Sequence, residues 1–324
     1  MQGPEPLPGS AYHTASAPGK VVLWGEYAVL AGAPAAAVAV NRRATVTTRP
    51  ATDAFIFSTS GFKSEPARLA DLTVEAPPEA AAVACAVARE LAVAPATAEI
   101  QSDTTAFFER DTKVGIGSSA AVLVATCGAL ARNTGTTPTV DMAMAAHRRL
   151  QGGGSGLDVV TAMTGGAVRF QSGRVVSFEP PATITLTFYF TGTSASTPDH
   201  LKRFSRWREA GDTAALNALA KASETLFDGV GSLSTWQNYT QALEALDKTA
   251  GLNIYTPTHA ALAQQAKHLG LVYKPCGAGG GDVGVLVSLG AAQDTVASFT
   301  AGAERLGCTN LHLSIDPVGL SVHA

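Results

Sequence analysis

The segment Lys113-Val114-Gly115-Ile116-Gly117-Ser118-Ser119-Ala120-Ala121, followed by a long apolar run, has the residue types and spacing of a glycine-rich turn opening a helix. Glycines admit a ligand close to the backbone, and the first helical turn leaves its N–H groups pointing out of the helix end. The helix dipole adds partial positive charge there, so the place suits an anionic phosphate. Ser118 and Ser119 add hydroxyls able to bond phosphate oxygens or to ligate magnesium. No Gly-Lys-Ser/Thr follows at phosphate-loop spacing, and the third glycine of a dinucleotide fingerprint is missing. Alone, the segment reads equally well as a turn with a helix cap.

Three further segments give it company. Ala17-Pro18-Gly19-Lys20-Val21-Val22-Leu23-Trp24-Gly25-Glu26-Tyr27 puts Lys20 at the start of an apolar strand. Gln151-Gly152-Gly153-Gly154-Ser155-Gly156-Leu157-Asp158 puts Asp158 just inside a helix. Lys274-Pro275-Cys276-Gly277-Ala278-Gly279-Gly280-Gly281-Asp282 is a loop whose backbone can press against a small ligand. Each has a plain alternative: a solvated lysine, a first-turn acid favoured by the dipole, a hairpin or strand-start loop. Together they fit phosphoryl transfer. That chemistry needs N–H groups to cradle phosphates, a magnesium site, a cation for developing charge and a carboxylate near the accepting group. Lys20 close to Asp158 would also hold the carboxylate ionised. His147, Arg148 and Arg149 either face an anionic substrate or compensate a helix end as solvated cations.

The elements that must position these residues follow from periodicity and punctuation. Strands are expected over 15–24, 35–40, 44–48, 54–60 and 98–101, helices over 77–92, 138–150 and from Gly156 to Gly165, and the glycine–serine loop with its helix over 113–132. A hairpin over 167–178 precedes Pro180-Pro181, where composition shifts; this sets units at 1–180 and 181–324. Beyond it come a strand at 183–191, four helices between 198 and 269, a strand at 283–288, a helix at 291–304 and a last strand at 311–315. Strands and helices mixed in non-repeating order indicate an α+β fold. The chain has 324 residues, 15% of them charged, with a net charge of −3. No basic excess suggests nucleic acid, no apolar run suggests a membrane span, and the N-terminus lacks the apolar core of a signal peptide. The four cysteines, 85, 127, 276 and 308, are scattered, as free thiols in a reducing cytoplasm would be.

The Lys20, glycine–serine, Asp158 and Gly277–Asp282 segments, in this order and at these separations, resemble the motifs of the GHMP kinase superfamily, over residues 14–290. The resemblance implies a two-domain α+β fold: an N-terminal domain like ribosomal protein S5 domain 2, a C-terminal ferredoxin-like domain and an active site in the cleft between them. Gly25-Glu26-Tyr27, the QG-x-x-GSG-x-DV pattern ending at Asp158-Val159, Thr191 to Thr197, and GAGGGD over 277–282 look most like its phosphomevalonate kinase branch. That branch moves the γ-phosphoryl group of ATP onto 5-phosphomevalonate. The resemblance implies that Lys113, Gly115, Gly117, Ser118, Ser119 and Ala120 hold ATP, with Ser119 on Mg²⁺. Lys20 would stabilise charge and Asp158 would orient groups. Substrate contacts would come from Lys20, Glu26, Tyr27, His147, Ser155, Gly156, Ser194, Ser196, Thr197, Gly277, Ala278 and Gly279. It implies small-molecule partners only, in a monomer or homodimer. Two departures stand out. Cys276 sits where the branch has serine, and His147 sits where mevalonate kinases carry a magnesium-binding glutamate. Mevalonate kinase or another small-molecule kinase of the superfamily is the alternative, and a ligand sensor that has lost the chemistry is a third reading.

Overall fold

The computed structural model describes residues 12–152, 154–195, 197–211 and 213–323. In chain order the strands are β1 (His13–Trp24), β2 (Ala35–Pro50), β3 (Phe55–Ser60), β4 (Ala67–Leu69), β5 (Ala98–Asp103), β6 (Phe108–Glu109), β7 (Thr112–Lys113), β8 (Ala167–Gln171), β9 (Arg174–Phe178), β10 (Ile184–Phe190), β11 (Val272–Pro275), β12 (Val283–Leu289), β13 (Thr309–Asn310) and β14 (Ser321–His323). The helices are α1 (Glu79–Ala88), α2 (Ser118–Asn133), α3 (Val140–Gln151), α4 (Leu157–Thr164), α5 (Thr197–Glu209), α6 (Ala214–Asp228), α7 (Leu233–Ala250), α8 (Pro257–His268) and α9 (Gln293–Arg305).

A first sheet runs β14-β1-β2-β5-β3-β4, and the β8–β9 hairpin is attached to the other half of β2. Its pairs are antiparallel except β3 with β5. The expected strands at 35–40 and 44–48 are one long strand, β2. Its first half pairs with β8 and its second with β5, so neither half is left as an edge. Helices α1 to α4 cover one face. The small residues of α2 let it sit close to the sheet: a Cβ at Gly128 would lie 2.8 Å from Leu320 and 3.1 Å from Ala15. Sequence signals place the helix ends. Thr139 caps α3 by accepting from Met142 N–H, and Gly152 ends it in the left-handed conformation. Thr256 and Pro257 start α8 in the same manner.

A second, antiparallel sheet runs β11-β12-β10-β13. The two parts meet through an aromatic cluster in which Trp24, at the end of β1, packs edge-on against Trp236 of α7 at 5.6 Å and lies 6.3 Å from Phe227 of α6.

The end of the chain corrects the sequence reading. Residues 311–315 form no strand; only Ile315 bridges Val40. Asp316 instead accepts from Arg43 at 2.7 Å, and Arg43 also donates to the Gly319 carbonyl at 2.6 Å. These bonds lead the chain back to the first sheet, where β14 pairs with β1.

Candidate active site

A cleft of about 910 Å³ gathers the chemistry-bearing segments. One wall is the glycine-rich turn. Gly117 adopts φ 82° and precedes α2 without a side-chain cap, so the first N–H groups of α2 face the cleft. Gly115 and Gly117 both need positive φ, which an L side chain adopts only with strain. Ser118 is buried and Ser119 is exposed. The turn is clasped to β1: Lys20 N–H donates to the Ile116 carbonyl at 2.8 Å, and a Cβ at Gly19 would come within 2.6 Å of that oxygen. The register shift of β1 between Pro18 and Gly19 re-aims the strand at this point. The Lys20 side chain lies along Gly117, 3.1 Å from where a Cβ would stand.

A second helix start shares the cleft. Gly156, at φ 75°, precedes α4 without a side-chain cap of its own. Ser155 Oγ accepts from Leu157 N–H at 3.3 Å, and Asp158 Oδ1 accepts from Val159 N–H at 3.0 Å. Two dipole ends thus converge on one cavity, an arrangement suited to a polyanion. The expected pairing of Lys20 with Asp158 does not form. Lys20 runs along the glycine turn, and Asp158 instead has His147 beside it, with Nε2 3.9 Å from Oδ1. That nitrogen is buried without a hydrogen-bond partner in a residue that lines the cleft.

Asp282 completes the phosphate-side wall, and the sequence reading passed over it. Its carboxylate presses on Gly115: a Cβ there would stand 2.2 Å from Asp282 Cγ. Oδ1 accepts from Ala195 N–H at 3.1 Å. Burial pushes its pKa from 3.8 up to about 6, opposed by the Ala195 and Ser194 hydrogen bonds and by the charges of Lys20 and Lys113. The available signal was its place as the one ionisable residue closing a run of glycines.

Tyr27, Gly277, Ala278, Ser194 and Thr197 also line the cleft. Tyr27 OH donates to the Ala278 carbonyl at 2.6 Å, and its ring packs 4.9 Å from Phe204 of α5. Burial raises the Tyr27 pKa, so the hydroxyl stays protonated. Two expected contacts change, and a third is not described. Glu26 borders the cleft, but Oε1 takes Lys274 Nζ at 2.5 Å and Oε2 takes Tyr239 OH, so its carboxylate is occupied. Gly279 does not line the cleft; it is buried against Ile254, 2.5 Å from where its Cβ would be. Ser196 lies outside the described residues. Cys276 lines the cleft as a neutral thiol, pushed up to about 11 by burial.

Magnesium demands oxygen donors and keeps phosphates and water in its shell, so one or two protein oxygens suffice. Among the described residues no group of three or more His, Cys, Asp or Glu could hold a metal ion. The exposed Ser119 hydroxyl and the carboxylates of Asp158 and Asp282, all on this cleft, fit a metal that arrives with a polyphosphate.

Comparison with known proteins agrees with the geometry. Residues 79–166, which carry the glycine turn, α3 and Asp158, match the GHMP kinases N-terminal domain. The chain is 30% identical over 329 residues to phosphomevalonate kinase of Streptomyces sp. strain CL190, covering 83% of this chain and 88% of that protein. It is 31% identical over 204 residues to mevalonate kinase of Thermococcus sibiricus, covering 57% and 59%. Streptococcus pneumoniae phosphomevalonate kinase, solved in complex with phosphomevalonate and AMPPNP, has the same fold, with a TM-score of 0.77 at 17% identity over 93% of this chain and 99% of that one. With its motifs in order on one cleft and a relative matched along most of its length, the chain belongs to the GHMP kinase family.

Proposed function

We propose that this chain transfers the γ-phosphoryl group of ATP to 5-phosphomevalonate, giving 5-diphosphomevalonate and ADP in the mevalonate pathway. The observation that carries the reading is the convergence of Lys20 and two glycine-led helix starts on one cavity. In this reading the N–H groups around Gly115, Gly117, Ser118, Ser119 and Ala120 cradle the triphosphate, with Lys113 adding charge beside them. Ser119, with Asp158 or Asp282 as carboxylate donor, would hold a Mg²⁺ that arrives with the nucleotide, and the ion would supply charge neutralisation of the phosphates.

The acceptor is a phosphate oxygen, already largely ionised at neutral pH, so no strong base is required. Lys20 holds the charge that develops between acceptor and γ-phosphoryl group. Asp158 orients reacting groups, its carboxylate held by the Val159 N–H. Ser155, Gly156, Ser194, Thr197, Gly277 and Ala278 supply hydroxyl and backbone donors to the acceptor. We place the boundary between the two units at 180/181, with the last strand returned to the first unit, and the chain in the cytoplasm.

Support for the acceptor comes from the Streptomyces relative and from His147, a poor magnesium ligand where mevalonate kinases are expected to use an acid. The second reading, mevalonate as acceptor, draws on the mevalonate kinase relatives and on the open flank of Asp158, which would then act as base. Coupled ADP release with each acceptor separates them. Turnover with 5-phosphomevalonate alone, lost in Lys20→Met, is the expected result; turnover with mevalonate moves the assignment to the second reading.

A further inference from the structure

Glu26 and Lys274 form a buried ion pair between residues 248 positions apart, at 2.5 Å, with side-chain exposures of 1% and 0%. Tyr239 of α7 joins it: its hydroxyl donates to Glu26 Oε2 and accepts from Gly25 N–H at 2.7 Å. Lys274 Nζ also sits 3.9 Å from Cys276 Sγ and 6.0 Å from the Tyr239 ring centroid. Taking two charges fully out of water is costly, and an apolar pair of like volume commonly stabilises a fold as well or better. Such a pair therefore points to something other than stability. Each of its members is adjacent to a cleft residue. Glu26 precedes Tyr27. Lys274 sits two residues before Cys276 and three before Gly277. Tyr27 then closes the circuit by donating to the Ala278 carbonyl.

We infer that Glu26, Lys274 and Tyr239 are positioning residues, a buried latch that sets the register of Tyr27 against the Cys276–Ala278 loop and thereby shapes the acceptor wall of the cleft. Among the described residues no hydrogen bond or ion pair joins Glu26, Lys274 or Tyr239 to Lys20, Gly115 or Ser119, so the latch is expected to act on the acceptor side more than on the nucleotide. The inference rests on the proposed function for the assignment of this wall to the acceptor.

Steady-state kinetics of the Glu26→Gln/Lys274→Met double variant test it, since removing both charges leaves none stranded. The acceptor used is whichever the unaltered chain phosphorylates. A wrong acceptor assignment therefore shows in the unaltered chain and a wrong latch only in the variants. The expected result is a rise of tenfold or more in acceptor KM, with nucleotide affinity within twofold and the thermal midpoint retained. An acceptor KM within twofold of the unaltered chain overturns the latch, as does an equal loss of nucleotide affinity. Where the double variant fails to fold, Tyr239→Phe decides. It keeps the ring and removes one hydroxyl; a threefold or greater rise in acceptor KM with unchanged nucleotide affinity supports the latch, and an unchanged acceptor KM overturns it.

Discussion

Replacing Gly115 with alanine tests the tightest contact of the phosphate-side wall. Gly115 adopts φ 80°, and a Cβ there would stand 2.2 Å from Asp282 Cγ and 2.4 and 2.6 Å from its two oxygens. Two costs follow. Positive φ for alanine costs about 1–2 kcal/mol. Displacing the carboxylate from Ala195 N–H removes a charge-assisted hydrogen bond of about 1.5–3 kcal/mol. The total is roughly 2.5–5 kcal/mol. An unfolding entropy of about 2.1 cal/mol/K per residue turns this into a fall of about 4–7 °C in thermal midpoint for a chain of 324 residues. Gly135→Ala is the matched control, because φ is 68° and nothing lies within 4 Å of its Cβ. It carries the strain alone and should lose about 1.5–3 °C. Nucleotide titration should show weaker binding for Gly115→Ala and no change for Gly135→Ala. In a cycle with Asp282→Ala, the Gly115→Ala loss should shrink by at least about 1 kcal/mol, since the contact is gone. Equal losses at Gly115 and Gly135, or additivity in the cycle, would refute the contact with Asp282 as the reason for glycine at this position.

The remaining expectations concern ionisable groups. Asp282 is raised from 3.8 to about 6 by burial. The folded chain therefore binds this proton more tightly than the unfolded chain. Stability falls as pH rises through that window, and the full cost is present above it. Asp282→Asn should accordingly stabilise the fold at neutral pH by at most about 3 kcal/mol, at about 1.4 kcal/mol per pKa unit, and so raise the thermal midpoint. The gain should vanish below the ordinary carboxylate range; a gain equal at both ends would sink the assignment. Lys20→Met should lower kcat by about 10²–10³-fold while nucleotide affinity changes far less, because its charge acts on the developing transition state. Asp158→Asn should cost less in kcat than Lys20→Met when the acceptor is a phosphate oxygen; a larger loss would argue for a base and an alcohol acceptor.

The local grammar of the site was legible because each signal is short-range. The glycine–serine turn before α2 and the glycine before α4 depend on neighbours within a turn or two. Their boundaries fall within a few residues of the expected ones. What escaped depends on partners far along the chain. Glu26 read as a cleft contact because nothing near it in sequence announces Lys274. Lys274 in turn read as a loop residue, whereas it lies in a strand buried on both sides. Asp158 was paired with Lys20 by chemistry alone, while the packing of α3 against α4 gives it His147. The tail at 311–315 has strand-like composition, but the Arg43 fork to Asp316 and Gly319 draws the chain back across to the first sheet.

The central claim is that a phosphate oxygen receives the transferred group. Phosphorus NMR of the reaction mixture tests it directly, with ATP, Mg²⁺ and either mevalonate or 5-phosphomevalonate as acceptor. The account predicts loss of the 5-phosphomevalonate monoester signal and growth of two mutually coupled diphosphate resonances distinct from those of ADP, with no new signal from mevalonate. A new monoester resonance from mevalonate, with 5-phosphomevalonate left unchanged, would contradict it.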